Sequence, residues 1–323
     1  MTFKWTHFGE QAFYERLTTS LGFSNLAGKM KWNFTLLDVN IHMKNLEELD
    51  RDEDTNLVTF HGAHPKIYRK TVRNIRDRFP NAFVISLGSD SIPYLYGFPS
   101  QGMMTFKDYE FNSPEDVDLH LDTLSEVIEK YSARGIKCGQ WMWTASQAHL
   151  DELKQLYKPI PLAKKEIGFY SLIAVKTPYR QKLREILSSQ DVKSIIGPGH
   201  HNMDQIYRDY ISSALIVGTT SGSWTPQRTM KGFRDWIAPT LGSVLVYDDH
   251  HDIRKTFGNR VWTYDYNKPE QLYDLLESII GKNESQEYNQ ARYDYILNLQ
   301  REWIEANTIE NQFQSIIKRE LLK

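Results

Sequence analysis

Residues Arg228 to Gly258 read RTMKGFRDWIAPTLGSVLVYDDHHDIRKTFG. Three signals follow one another here: a cationic lead-in, a short apolar segment that ends at Gly242, and an apolar run from Ser243 to Tyr247 that opens onto acids and histidines. A short apolar run between turn signals predicts a buried strand, and buried strands of this kind are typical of parallel sheets. The stretch therefore predicts an α/β sheet with a cationic loop before one of its strands.

Apolar runs of strand length alternate with amphipathic segments in both halves of the chain, which predicts two parallel sheets built from βαβ units. The strands are predicted at Phe3–Thr6, Phe34–Val39, Leu57–Phe60, Ala82–Leu87, Lys137–Trp143, Ile167–Val175, Val192–Ile196, Ala214–Gly218, Ser243–Tyr247 and Arg260–Tyr264. The helices are predicted at Glu10–Leu21, Lys66–Arg78, Val117–Tyr131, Ser146–Tyr157, Tyr179–Leu187, Met203–Ser212, Phe233–Thr240 and Pro269–Ile280.

The boundary between the two halves is predicted at Lys158-Pro-Ile-Pro-Leu, because two closely spaced prolines disrupt regular structure. The fold class is therefore α/β, with two doubly wound Rossmann-like lobes over residues 1–160 and 161–285 and a C-terminal helical tail over 286–323. Apolar side chains in the tail are spaced for one buried face, and we expect it to pack back across the lobes.

The composition is that of a globular protein rather than a fibrous or disordered one. The 323 residues carry a formal net charge of −2, and 40% of them are hydrophobic. A single cysteine excludes an intrachain disulfide, and no apolar run approaches the roughly 20 residues that cross a bilayer. We expect a cytoplasmic protein of two domains that does not enter the membrane.

Small hydroxyl residues and cations follow two strands of the second half. The strand Ala214–Gly218 runs into Thr219-Thr-Ser-Gly-Ser, and cations follow at Arg228, Lys231 and Arg234. Lys176 and Arg180 bracket Pro178 after an earlier strand. Since anions bind at helix N-termini beyond the carboxyl ends of parallel strands, these loops predict a diphosphate site. The alternative is that each cation is a solvated helix end; the sequence contains no P-loop or Gly-x-Gly-x-x-Gly motif.

The order of Arg234-Asp-Trp-Ile-Ala-Pro-Thr-Leu-Gly242, Ser243-Val-Leu-Val-Tyr-Asp-Asp249 and Val261-Trp-Thr-Tyr264 resembles the donor-binding half of GT-B glycosyltransferases. The resemblance is closest to group-1-like enzymes of the spore-maturation type and to the phage enzymes that glucosylate DNA bases. It covers Ile167 to Ile280, and the first half resembles the family in architecture alone.

The resemblance implies a metal-independent hexosyl or pentosyl transferase whose second lobe binds a nucleoside-diphosphate sugar, with UDP as the first candidate for its nucleotide and no other cofactor. Fixed positive charge would then stabilise the leaving diphosphate. The donor-binding residues that it implies are Lys176, Arg180, His200, Thr220, Ser221, Arg228, Lys231 and Arg234. One position departs from the family: Ile237 stands where a glutamate usually holds the ribose hydroxyls.

The first lobe is expected to bind the acceptor and to supply the base. Asp90 follows the strand Ala82–Leu87 and is the first candidate for the general base, while His61 closes the preceding strand. A turn aspartate and a helix-entry histidine are the structural alternatives. Further acceptor contacts are predicted at His7, Gly9, His64, Arg69, Arg73 and Tyr94.

Duplex DNA is one candidate acceptor, since the helix Lys66–Arg78 places several cations, Arg69 and Arg73 among them, on one side. The near-neutral net charge argues against a dedicated DNA-binding protein, so a protein, a polysaccharide or a small molecule stays open. Two other classes also stay open: a non-catalytic nucleotide or nucleic-acid binder, supported by Ile237, and a nucleotide-sugar epimerase.

No metal site is predicted. Asp248-Asp-His-His-Asp252 contains suitable ligand types, but neighbouring side chains of an extended chain point to opposite sides.

Overall fold

The computed structural model describes residues 2–9, 19–38, 46–61, 68–88, 117–123, 125–171, 178–188, 192–196, 202–220, 236–280 and 285–322. The chain divides into two compact units. The first comprises Met1–His149 and Asn307–Lys323, and the second comprises Leu150–Ala306. In this division the boundary falls at Leu150, before the proline pair, and the end of the tail belongs to the first unit.

The first unit contains a six-stranded sheet in which every pair of neighbours is parallel. Its strands are β1 (Lys4–Gly9), β2 (Asn33–Asp38), β3 (Leu57–His61), β4 (Phe83–Leu87), β5 (Leu119–Asp122) and β6 (Cys138–Gln140). Their order across the sheet is β2-β1-β3-β4-β5-β6.

The second unit contains a five-stranded sheet, again parallel throughout. Its strands are β7 (Ile167–Ser171), β8 (Ser194–Ile196), β9 (Ser213–Gly218), β10 (Val244–Asp248) and β11 (Trp262–Tyr264). Their order is β11-β10-β9-β7-β8. Two parallel sheets with helical crossovers confirm the predicted fold class.

The described helices follow the strands along the chain. They are α1 (Leu21–Met30), α2 (Tyr68–Arg78), α3 (Ser125–Ser132), α4 (Gln147–Leu156), α5 (Pro178–Ser188), α6 (Met203–Ser212), α7 (His251–Phe257), α8 (Gln271–Ile280), α9 (Gln286–Ala306) and α10 (Ile309–Glu320). Short 3-10 turns lie at Leu46–Glu48 and Leu162–Lys164.

Three of the predicted elements are wrong. The segment Val117–Tyr131 is not one helix, because its first part forms β5 and only Ser125–Ser132 is helical. The segment Phe233–Thr240 is not helical over its described part, where residues 236–240 form turns. The strand predicted over Lys137–Trp143 is shorter than expected, since only Cys138–Gln140 pairs in the sheet. Helix α1, which contains Gly22 and Gly28, was not predicted beyond its first residue.

The core on one face of the first sheet is built from aromatic side chains of separate elements. Trp5 of β1 stacks on Phe313 of α10 with ring centroids 5.3 Å apart, and Phe23 of α1 lies 4.3 Å from the same Phe313 ring. All three side chains are fully buried. The C-terminal helix is therefore part of the core of the first unit.

Helix α9 belongs to the second unit and is joined to its sheet by polar contacts. The hydroxyl of Tyr293, which has one proton to donate, lies 2.7 Å from the carbonyl oxygen of Ala214 and 3.0 Å from that of Gly242. The side-chain amide of Gln300 accepts from the backbone N–H of Leu245 and donates to its carbonyl. The tail is therefore two helices, one in each unit, separated at Thr308, whose hydroxyl caps α10.

Among the described residues, no helix combines the length and the apolar character that crossing a membrane requires.

Candidate functional site

The strand order of the second sheet indicates where a ligand is expected to bind. Strand β7 lies between β8 and β9, so the chain leaves β7 toward one side and later returns to its other side. In open α/β sheets, ligands bind where the strand order reverses in this way, beyond the carboxyl ends of the strands. The crevice that this rule predicts is at the ends of β7 and β9, beside residues 219–220 and the start of α5.

Thr220 is held at this crevice by a buried carboxylate. Its backbone N–H donates to Asp248 Oδ1 at 2.6 Å, and its hydroxyl donates to Asp248 Oδ2 at 2.7 Å. Both residues are fully buried, and Asp248 ends the neighbouring strand β10. Two charge-assisted hydrogen bonds thus fix the first residues of the loop that follows β9. The sequence singled out Thr220 but not Asp248, because nothing in a strand-end aspartate indicates its partner.

Arg180 lies in the first turn of α5, the helix that follows β7, and its side chain is buried. A guanidinium stays charged at every physiological pH, so this position carries a fixed positive charge beside the crevice. Arg180 and Thr220 are thus placed on the two segments that flank the predicted diphosphate site.

The other predicted donor residues lie outside the described part of the chain: Lys176, His200, Ser221, Arg228, Lys231 and Arg234. Ile237 is described, and its side chain is completely buried in the second unit. Its neighbour Trp236 packs against Phe257 and Trp303 at ring distances of 5.3 Å. A hydrogen bond to a donor ribose therefore does not come from the Ile237 position.

An open pocket of about 500 Å³ lies beyond the carboxyl ends of β10 and β11. The pocket is lined by Asp249, His250, His251, Arg254, Asp265, Tyr266 and Asn267. The ring of Tyr266 stacks on Tyr179 of α5 with centroids 3.9 Å apart, and Arg254 forms an ion pair with Asp249. The pocket is therefore polar and of mixed charge, with one aromatic wall.

The first sheet has its own switch point between β1 and β3, since β1 lies between β2 and β3. Gly9 ends β1 and His61 ends β3, so the structure brings these two predicted positions to the same edge. The side chains of His61 and Arg69 lie outside the described residues, as do Asp90, His64 and Tyr94 entirely.

His7 does not have the exposed position expected of an acceptor contact. Its side chain is fully buried, with Nδ1 2.8 Å from the hydroxyl of Thr59 and the ring 4.9 Å from that of Phe23. Burial lowers the pKa of His7 to about 3, so the imidazole is neutral at physiological pH. The structure does not support direct acceptor binding by His7; its contacts instead join β1, β3 and α1.

A buried polar chain that the sequence did not reveal lies near the same edge. His120 Nε2 lies 3.1 Å from Asp122 Oδ2, and His120 Nδ1 lies 3.2 Å from the hydroxyl of Ser86 on β4. All three side chains are buried, and Asp122 is the last residue of β5. The three side chains therefore form a hydrogen-bonded group inside the first sheet. The sequence pattern predicts a helix over Val117–Tyr131, and in a helix Asp122 would not lie at the end of a strand. The position of Asp122 was therefore not predicted.

The cationic helix α2 presents fewer available charges than its sequence suggests. Arg73 is exposed, as predicted for a phosphate contact. Arg76 instead forms an ion pair of 3.0 Å with Asp118 and donates to the carbonyl of Ala82. Arg78 donates to the carbonyl of Glu47. Of these three arginines, only Arg73 is without a structural contact of this kind.

Several solved structures share the fold of this chain along nearly its whole length. An alpha-glucosyltransferase in complex with UDP and a 13-mer DNA containing a HMU base matches with a TM-score of 0.61 and 10% identity, over 98% of this chain and 100% of that one. OtsA in its apo form matches with a TM-score of 0.63 and 9% identity, over 99% of each chain. An alpha,alpha-trehalose-phosphate synthase (UDP-forming) from Burkholderia vietnamiensis matches with a TM-score of 0.53 and 11% identity, over 95% and 84%.

No protein-family model matches the sequence, and no curated protein is similar enough in sequence to count as a relative. At about 10% identity the likeness is one of fold. The chain has the GT-B fold, with two parallel α/β units and C-terminal helices, as the sequence predicted.

Proposed function

We propose that the protein is a glycosyltransferase that moves a sugar from a UDP-sugar to a hydroxyl group on a base in DNA. The main support for the proposal is the position of Arg180 and Thr220, which both lie beside the switch point of the second sheet. Such an edge suits a diphosphate, because backbone N–H groups and helix dipoles meet there. Solved structures with this fold include an alpha-glucosyltransferase bound to UDP and DNA, which supports the choice of donor and acceptor.

In this proposal the second unit binds the donor. Arg180 and the cations Lys176, Arg228, Lys231 and Arg234 offset the charge that develops on the leaving diphosphate, so no catalytic metal is needed for that role. Asp248 is a positioning residue, since it acts on the donor only by fixing Thr220. Ser221 and His200 complete the contacts to phosphate and nucleobase.

The first unit binds the acceptor in this proposal. The hydroxyl group on the DNA base attacks the anomeric carbon of the sugar, and the bond from that carbon to the diphosphate oxygen breaks. The proton of the attacking hydroxyl passes to a side chain that acts as the general base. Asp90 is the proposed general base, and His61 is a second candidate for this role. Gly9, His64, Arg69, Arg73 and Tyr94 are the proposed acceptor contacts, with Arg73 on a DNA phosphate.

The alternative is a non-catalytic binder of nucleotides or nucleic acid that has kept the fold. Ile237 favours it, because its buried side chain leaves the ribose without the usual carboxylate partner. Both functions predict nucleotide binding, but only the enzyme releases UDP from a UDP-sugar.

The donor site is tested by thermal unfolding with UDP, GDP, ADP, dTDP and CMP, each in EDTA. A nucleotide at about 100 times its Kd adds roughly 2.7 kcal/mol to the free energy of unfolding and raises Tm by several degrees. We expect a selective rise with UDP that Thr220→Ala reduces. Thr263→Ala, on the edge strand β11, is the control and should keep the rise. A Tm that no nucleotide changes would overturn the donor site.

A further inference from the structure

We propose that His250, His251 and Asp252 form a binding site for a divalent transition-metal ion. The three residues lie just beyond β10, where His250 is the N-cap of α7 and His251 and Asp252 begin its first turn. The sequence favoured an extended chain here, with side chains on opposite sides. That expectation is wrong, because the helix starts at His251 and gathers one ligand atom from each residue within 4.8 Å.

The separations between the ligand atoms fit a tetrahedral metal. His251 Nε2 lies 3.4 Å from Asp252 Oδ1, and His250 Nδ1 lies 3.8 Å from Asp252 Oδ2. Zinc bonds to nitrogen and oxygen of about 2.0–2.2 Å place the ligands of a tetrahedron roughly 3.3–3.5 Å apart. The two imidazoles thus approach different oxygens of the same carboxylate, the 3.4 Å separation already has the required length, and the three ligand atoms lie within 4.8 Å of one another.

Burial divides the three ligands into a fixed part and an adjustable part. The Asp252 side chain is 3% exposed and that of His250 is 13% exposed, so packing holds both in place. The His251 side chain is 62% exposed and is able to rotate onto an ion that enters from solvent. His250 Nδ1 accepts a long hydrogen bond of 3.3 Å from the Asp252 N–H, which a metal at that nitrogen would replace.

The ligand types select the class of metal. Two imidazoles and one carboxylate suit Zn²⁺, Co²⁺, Ni²⁺ or Cu²⁺, whereas Mg²⁺ and Ca²⁺ prefer sites made of oxygen alone. The same three residues line the pocket of about 500 Å³ beyond β10 and β11, and Asp265 adds a further carboxylate to its wall. A fourth coordination position therefore faces a space that holds water or a ligand oxygen.

This site is independent of the proposed function. The diphosphate crevice lies at the ends of β7 and β9, whereas the metal ligands follow β10. Nucleotide binding is measured in EDTA, so a failure of the donor site and a failure of the metal site are seen in separate experiments.

The test titrates EDTA-treated, dialysed protein with Zn²⁺ in a calorimeter and with Co²⁺ by visible absorption, which reports tetrahedral coordination. We expect one ion per chain. His251→Ala and Asp252→Asn should each weaken Zn²⁺ binding by more than roughly tenfold, a loss that even outer-shell partners of a metal cause. Asn267→Ala, in the same pocket but outside the ligand set, is the matched control and should bind as the wild type does.

Thermal unfolding in EDTA shows whether each variant is folded in the absence of metal. His251→Ala should keep the wild-type Tm, because the His251 side chain is mostly exposed. The proposal is overturned if the wild type binds neither ion. It is equally overturned if His251→Ala and Asp252→Asn bind Zn²⁺ with unchanged affinity and stoichiometry, since the ion would then be held by other residues.

Discussion

Gly218, the last residue of β9, is a glycine because an aromatic ring occupies the space of a side chain. A Cβ at this position would lie 2.4 Å from Cζ of Tyr247 on β10, and Tyr247 is itself fully buried. The residue after Gly218 begins the loop of Thr219 and Thr220 beside the switch point of the second sheet. A larger residue at this position would therefore have to displace the Tyr247 ring beside the proposed site.

Gly218→Ala should lower the free energy of unfolding by about 1–3 kcal/mol, the usual cost of overpacking a core. Gly28→Ala is the matched control: a Cβ at Gly28 would meet nothing within 4 Å, and this glycine is exposed on α1. Alanine there should raise the free energy of unfolding by about 0.5–1 kcal/mol. Urea unfolding of both variants measures the two changes, and an equal effect of the two substitutions would refute the packing argument.

His7 should make stability depend on pH below neutrality. Its pKa is about 3 in the folded protein and near 6.5 when unfolded, so between these values the unfolded chain binds more protons. The free energy of unfolding therefore falls as the pH drops through this window. From pH 7 to pH 5 the loss from this residue is about 2 kcal/mol.

The measurement compares the wild type with His7→Gln, which removes the titrating group. We expect the pH 7 to pH 5 loss to be smaller in the variant by about that amount. Identical pH dependences for the two proteins would show that His7 titrates normally in the folded state.

At the scale of elements, the C-terminal helix α10 is a structural part of the first unit. Phe313 is completely buried and contacts Trp5 and Phe23, which come from β1 and α1. Gly22 allows helices α1 and α10 to pack closely, because a Cβ at this position would lie 2.7 Å from the side chain of Ile309 on α10. The helix therefore closes the core that carries the first sheet.

Phe313→Ala should cost about 3–5 kcal/mol of unfolding free energy, because it removes a large buried ring and leaves a cavity. Lys318→Ala on the exposed side of the same helix is the control and should change stability by less than about 0.5 kcal/mol. The midpoints of denaturant unfolding of the two variants measure this difference. A Phe313→Ala protein as stable as the Lys318→Ala control would show that α10 contributes little to the core.

The elements also show where sequence patterns suffice and where they fail. Long amphipathic segments such as Met203–Ser212 and apolar strands such as Ala214–Gly218 were located to within a residue, because one period dominates each of them. The strand β5 was not, because its four residues are too few to establish a period and Val117, Leu121 and Leu124 are also spaced as on one face of a helix. Burial and pairing between β4 and β6 decide its conformation, and neither is visible in a short stretch of sequence.

The candidate site was predictable to a similar degree. The positions of Thr220 and Arg180 at one edge of the sheet could be predicted from the sequence, because the loops that follow parallel strands meet there. Their role in donor binding stays a prediction. The contacts of Asp248 and His120 and the clustering of His250, His251 and Asp252 could not be predicted, because they depend on neighbours distant in sequence or on where a helix begins.

At the scale of the whole molecule, the two units and the divided tail together make the GT-B fold. Matching solved structures cover nearly the whole chain at about 10% identity, so the architecture is shared although most side chains differ. A common fold does not fix a reaction, and function resides in the sites that the fold carries. The proposed function therefore requires that the crevice of the second sheet binds a UDP-sugar and that the chain transfers that sugar.

The most direct test incubates the protein with UDP-glucose carrying labelled glucose and a DNA duplex that contains one hydroxymethylated pyrimidine. We expect label in the DNA and an equal amount of free UDP, with no label in the same duplex built with the unmodified base. A protein that binds UDP but labels neither duplex and releases no UDP would be a nucleotide binder without transferase activity, and the proposed function would be wrong.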